Sequence, residues 1–199
     1  VSGAIVTKLF YEEEILFNFD ILDSFSIGDI PFFVILGILA GFVSWYFTKV
    51  FLYFEDLFEK IKRQRYRLLI GGSVLGLLLF LFPPLFGEGF ETIKLAFAGN
   101  HEAIMENSMF SSYSHNILVF IGFFLCLILF KVVAAAFTIG AGGIGGIFAP
   151  SLFTGAFTGF LFAYIINLSG LGLQLSELNY ALVGMGSVLG GVLQAPLTG

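Results

Sequence analysis

Charge is scarce in this chain: of 199 residues only 12% are Asp, Glu, Lys or Arg, where soluble proteins carry roughly 25%. A soluble domain of this length could not coat itself against water with so few ionised groups, so lipid is the solvent the composition implies. Basic residues number nine and form no stripe of the kind that grips nucleic acid. The single cysteine, Cys126, sits in an apolar run. It has no partner for an internal disulfide and no ligand-type neighbours, and it reads as a small buried hydrophobe. The two histidines, His101 and His115, fall in a polar connector. His101-Glu102 opens like a zinc-protease motif, but the residue four positions on is Met105, so the second ligand is missing. The apolar segments hold no Asp pair and no Ser–His pair, which argues against an intramembrane protease. No enzyme activity, metal or cofactor is implied. Carboxylates are nearly absent from the same segments, which argues against a cation permease.

What the chain has in excess is Phe (27) and Gly (25). Phe is expected to face acyl chains, and Gly to let helices approach closely. Helical segments follow in order. Residues 1–11 read as the tail of one helix, and 12–29 as a polar, acidic stretch. Residues 31–54 are long enough to cross a hydrocarbon core of about 30 Å at ~1.5 Å per residue. A charged connector (55–67) leads to an apolar segment (68–86) broken by Pro83-Pro84. A mixed connector (87–115) precedes the apolar segment 116–139, which is interrupted by Lys131. Lys131 would be costly against lipid and is expected to snorkel or to meet a carboxylate or backbone carbonyls. Segments 147–168 and 180–193 complete the series. Such unequal, interrupted helices suit a transporter built from broken and partial spans better than a simple bundle.

Five of the nine basic residues, Lys60, Lys62, Arg63, Arg65 and Arg67, lie in the first connector. The positive-inside rule would place it in the cytoplasm. The chain opens without Met and closes on Ala195-Pro196-Leu197-Thr198-Gly199, a helix-start signal with no helix after it. It is therefore expected to be a piece of a longer protein.

The most informative stretch runs from Gly140 to Pro150. Five of its first seven residues are Gly (Gly140, Gly142, Gly143, Gly145, Gly146). Each costs a helix roughly 1 kcal/mol relative to Ala, so the backbone here is expected to be extended or turned. Pro150 suits a first helical turn, where its missing N–H would have had no partner. A helix is thus predicted to start near Phe148 to Pro150. Its first N–H groups lack acceptors and carry the positive end of the helix dipole, about half a unit charge. At membrane depth each unmet polar group costs several kcal/mol, and an anion is the natural guest. Gly146, Ile147, Phe148 and Ala149 are the candidate chloride-binding residues. Gly142, Gly143, Gly145 and Pro150 are candidates for shaping the break. Partial charges suit a small anion that must also leave. Helix packing is the competing reading. Gly37-xxx-Gly41, Gly155-xxx-Gly159 and Gly142-xxx-Gly146 all fit small-xxx-small contacts. Packing is preferred for the first two pairs, while the physics alone leaves the 140–146 run open between packing and anion binding.

Gly145-Gly146-Ile147-Phe148-Ala149-Pro150 resembles the signature of the CLC family of voltage-gated chloride channels and H+/Cl- exchangers. Lys131, followed by small residues running into the glycines, resembles that family's approach to the signature. Gly184-Met185-Gly186 with Ala195-Pro196-Leu197-Thr198-Gly199, and Gly87-Glu88-Gly89-Phe90, resemble two further family segments in the same order. The resemblance implies an all-α membrane protein, a CLC-like inverted-repeat helical bundle with an anion pathway in each subunit of a homodimer. Residues 1–66 would be the end of the first repeat and 67–199 most of the second. It implies chloride as the transported anion, protons as co-substrate if the protein is an exchanger, and a bacterial-type inner membrane. It also implies that the 60–67 connector faces outward, against the positive-inside reading, so orientation stays open. In the family the anion also meets a Ser, a gating Glu and a Tyr from motifs that this sequence does not contain. The family's inner proton-relay position falls near Phe17 or Asn18 by counting, with Glu12, Glu13 and Glu14 close by as candidates. The alternatives carried alongside are another secondary transporter or permease and, less favoured, an intramembrane enzyme.

Overall fold

A computed structural model describes residues 27–97, 101–106, 108–111, 116–169 and 174–194. Among these residues every regular element is a helix or a 3-10 turn. A 3-10 turn, Ile27–Asp29, feeds α1 (Ile30–Glu59), whose Pro31 occupies the first turn, where a missing N–H does no harm. Next come α2 (Gln64–Leu81), α3 (Phe90–Phe97), α4 (His101–Glu106), α5 (Ile117–Gly140), α6 (Phe148–Leu168) and α7 (Glu177–Leu193). Pro83-Pro84 stops α2 as expected and folds into a short 3-10 turn, Pro83–Leu85. The start of α5 is capped by Asn116, whose side-chain oxygen accepts the Leu118 N–H at 3.0 Å. The 87–115 region, expected as a mixed connector, contains the two short helices α3 and α4. The last helix begins at Glu177, a little earlier than the apolar pattern suggested.

Four helices, α1, α2, α5 and α6, are long and apolar enough to cross a membrane. The 17-residue α7 is shorter. α6 lies deepest in the assembly and packs on α7 almost backbone to backbone. A Cβ on Gly155 would fall 2.5 Å from the Gly184 carbonyl oxygen, and one on Gly159 would collide with the Tyr180 carbonyl. Only glycine allows this crossing, so packing is the role of the Gly155/Gly159 pair. The Gly37/Gly41 pair differs: no atom lies within 4 Å of where either Cβ would stand. The expected contact is therefore not made among the described residues, and the face beside it, with Ile38, Phe42 and Trp45, stays exposed.

The expectation that Phe faces lipid also needs correction. Phe82, Phe120, Phe123, Phe124, Phe153, Phe157 and Phe160 are buried in the main core. They meet ring to ring; Phe120 and Tyr164 lie 4.8 Å apart between centroids, and Phe153 and Phe157 4.6 Å. Aromatic pairs at such distances add ~0.5–1.5 kcal/mol beyond area burial, which holds α5 and α6 together where backbone hydrogen bonds cannot. A second cluster joins α1 to α5 and α7 through Ala40, Phe47, Val132, Val188 and Val192. At the same seam the buried Ser44 hydroxyl bonds the Ala40 carbonyl at 2.8 Å and the Val188 carbonyl at 3.2 Å.

Candidate functional site

The glycine-rich stretch is divided between two tasks. Its first part ends α5. The Gly142 N–H donates to the Ile139 carbonyl (2.9 Å) and the Gly143 N–H to the Thr138 carbonyl (2.9 Å), with Gly142 at φ +96. This pair of bonds is a Schellman stop, and its left-handed residue favours glycine. Gly143 sits so close to Thr138 that a Cβ there would stand 2.7 Å from the Thr138 carbonyl oxygen. Gly142 and Gly143 thus satisfy the carbonyl end of α5. Gly145 and Gly146 then carry the chain back alongside that helix.

The second part starts α6 at Phe148, within the Phe148 to Pro150 window that the glycine and proline signals gave. Ile147 is the N-cap residue and offers no side-chain cap. Pro150, third in the helix, has no N–H, which leaves the amides of Ile147, Phe148 and Ala149 as the helix's unpaired donors. Among the described residues none of the three has an acceptor. The hydroxyls of the first turns offer no help. Ser151 donates to the Phe148 carbonyl at 2.7 Å and Thr154 to the Pro150 carbonyl at 2.6 Å.

A cavity of about 400 Å³ opens beside this helix start. Its walls are Leu75 and Leu79 of α2, the 85–88 segment, Lys131, Ala134, Ala135, Thr138 and Ile139 of α5, and Ile144, Gly145, Gly146, Ala149 and Pro150. Leu75 and Leu79 lie in the second half of an 18-residue span. The start of α6 therefore lies beside the second half of that apolar helix. Of the expected anion-binding residues, Gly146 and Ala149 line this cavity. The Ile147 side chain packs against the α1–α5–α7 cluster, and Phe148 is 54% exposed. The candidate relay residues Glu12, Glu13 and Glu14 lie outside the described residues.

Lys131 meets backbone carbonyls, one of the partners expected of it. It is buried, and its ammonium donates to the carbonyls of Leu85 (3.1 Å) and Gly87 (2.9 Å) while lying 4.5 Å from the Phe153 ring centre. Glu88, on the same short segment, is the other charged residue on the cavity wall. Sequence reasoning overlooked Glu88, Phe153 and the two carbonyl partners. A lone lysine in an apolar run told that partners exist, and nothing in the pattern told which.

A family model described as voltage gated chloride channel matches residues 1–199. The chain is 34% identical over 172 residues to an H(+)/Cl(-) exchange transporter, ClcA, of Vibrio parahaemolyticus. The match covers 84% of this chain and 33% of that protein, so the chain spans about a third of the length of this curated relative.

Proposed function

Because this chain belongs to the voltage-gated chloride channel family, we propose that it builds one part of a chloride pathway in which the anion is held by backbone amides at the start of α6. It is a multi-pass integral membrane protein of the bacterial inner-membrane type. The donors are the N–H groups of Ile147, Phe148 and Ala149, and Gly146 lets the backbone come close. One observation carries this reading: a helix begins beside a largely apolar cavity, between apolar helices, with its amides uncommitted among the described residues. In hydrocarbon such donors call for an acceptor, and the helix dipole favours a negative one. The donors carry partial charges, so the anion is bound without being trapped.

The complete protein is a homodimer with one such path per subunit. In it residues 1–66 close the first repeat and 67–199 form most of the second. The relative's name favours proton-coupled exchange over a simple channel, and Glu12, Glu13 and Glu14 are the candidate relay. Chloride efflux from liposomes containing the complete protein, measured with and without a proton gradient, tests both points. Chloride-dependent flux with stoichiometric proton movement is expected. Absence of chloride flux from correctly folded protein would end this reading, and flux indifferent to protons would make the protein a channel.

A further inference from the structure

We propose that Lys131 is a positioning residue: it straps the 83–89 connector across the cavity and so fixes the wall opposite the start of α6. The proposal rests on the reading of that helix start as the anion site. Lys131 is 2% exposed, at a depth where an ionised amine survives only if its donors are met. Two carbonyls of the connector take N–H groups at 3.1 and 2.9 Å, and the Phe153 ring lies 4.5 Å away on another side of the ammonium. An ammonium has three donors. With two on carbonyls and the ring face close by, the group is committed to the connector.

The connector is shaped to receive it. Gly87 (φ +61) and Gly89 (φ +85) occupy the left-handed region, turning the chain so that the Leu85 and Gly87 carbonyls converge on one point. A Cβ on Gly89 would run into the Phe153 ring and stand 3.4 Å from the Lys131 ammonium nitrogen. Leu85 is anchored in the aromatic core, while Phe86, Gly87 and Glu88 face the cavity. The strap therefore places one wall, including its only carboxylate among the described residues, relative to Gly146 and Ala149 on the other side. The competing account is that Lys131 draws anions through its charge alone. The two accounts part when the connector is moved with the charge left in place.

Three variants of the complete protein separate them: Lys131→Met, Lys131→Arg and Gly89→Ala. Each is read by amide hydrogen exchange over residues 86–90 and by chloride flux and chloride/nitrate selectivity in liposomes. Loss of hydrogen bonds from a charged donor should speed connector exchange in Lys131→Met by roughly tenfold to a hundredfold. Flux and selectivity should change with it. Lys131→Arg, which retains donors and charge, should restore slow exchange and wild-type selectivity. Gly89→Ala, which pushes the connector off Phe153 with the charge intact, should follow Lys131→Met in both readouts. Altered flux in Lys131→Met with unchanged connector exchange would overturn the proposal, as would wild-type flux and selectivity in Gly89→Ala. If Lys131→Met does not fold, Gly89→Ala decides alone. A wild type without chloride flux would sink the transport reading instead, and the exchange arm, which needs no anion, tells that failure apart.

Discussion

The same substitution, Gly→Ala, should have opposite effects on stability at two sites that share one sequence pattern. At Gly159 a Cβ would collide with the Tyr180 carbonyl and come within 2.9 Å of the Ala181 Cα. Both are backbone atoms of α7 and cannot rotate away, so the helices must part. Overpacking of this kind costs ~1–3 kcal/mol, and a rigid backbone obstacle puts Gly159→Ala at the upper end. Against this stands the better helix propensity of Ala, about 1 kcal/mol. The net is a loss of about 2 kcal/mol, read as a clear drop in midpoint. At Gly37 no atom of the described residues lies within 4 Å, so only the propensity gain remains. Gly37→Ala should be neutral to stabilising by up to ~1 kcal/mol, with a midpoint unchanged or raised. Thermal unfolding in detergent, followed by circular dichroism, reads both. Equal shifts at the two sites would refute the reasoning. A destabilised Gly37→Ala would mean that another surface covers that face in the complete protein.

Phe148→Ala removes a half-exposed side chain and should change stability by less than about 0.5 kcal/mol. In the liposome efflux assay it should alter conductance or selectivity, since it reshapes the site's surroundings; unchanged flux and selectivity would count against the site. Gly142→Ala places a Cβ in the left-handed region and should cost ~1–2 kcal/mol. Loosening the stop that sets where α6 begins, it should also lower chloride flux, whereas Gly146→Ala, with no atom within 4 Å of its Cβ position, should fold normally. Asn116→Ala deletes the α5 cap and should cost about 1 kcal/mol in thermal unfolding with chloride selectivity unchanged, because the cap lies far along α5 from Lys131 and the glycine stretch.

The helix break was legible because glycine density and a proline act locally: each residue biases its own backbone whatever surrounds it. Sequence could therefore place the start of α6 near Phe148 to Pro150 and the break after α2 at Pro83-Pro84. Contacts were harder to read. Gly37/Gly41 and Gly155/Gly159 have the same spacing, yet among the described residues only the second pair meets a neighbouring backbone. A small-residue pattern states that a helix can be approached and not which helix arrives. Phenylalanine misled for a related reason, since lipid and a packed core are both apolar, and composition cannot tell Phe42, exposed on α1, from Phe124, buried on α5. The strap on Lys131 depends on carbonyl groups, which every residue carries, so no side-chain pattern marks Leu85 or Gly87 as its partners.

What α6 lacks at its start bears directly on what the start is for. Soluble helices commonly place Ser, Thr, Asp or Asn at the N-cap, and replacing such a cap with an aliphatic residue costs about 1 kcal/mol. Here the position is Ile147, whose side chain packs into the α1–α5–α7 cluster and brings no oxygen to the helix end. The nearby hydroxyls of Ser151 and Thr154 are turned onto carbonyls of the same helix. Among the described residues, no side chain therefore satisfies these amides internally. The body of the helix, meanwhile, is held by tilted aromatic contacts with α5 and by the glycine crossing with α7. On the proposed reading, a packed helix whose first amides are uncommitted among the described residues is preorganised: it does not have to break an internal bond to take an anion. An Asp or Thr at position 147 would supply its own oxygen to those amides, stabilise the helix, and leave an anion to compete with the protein for its place.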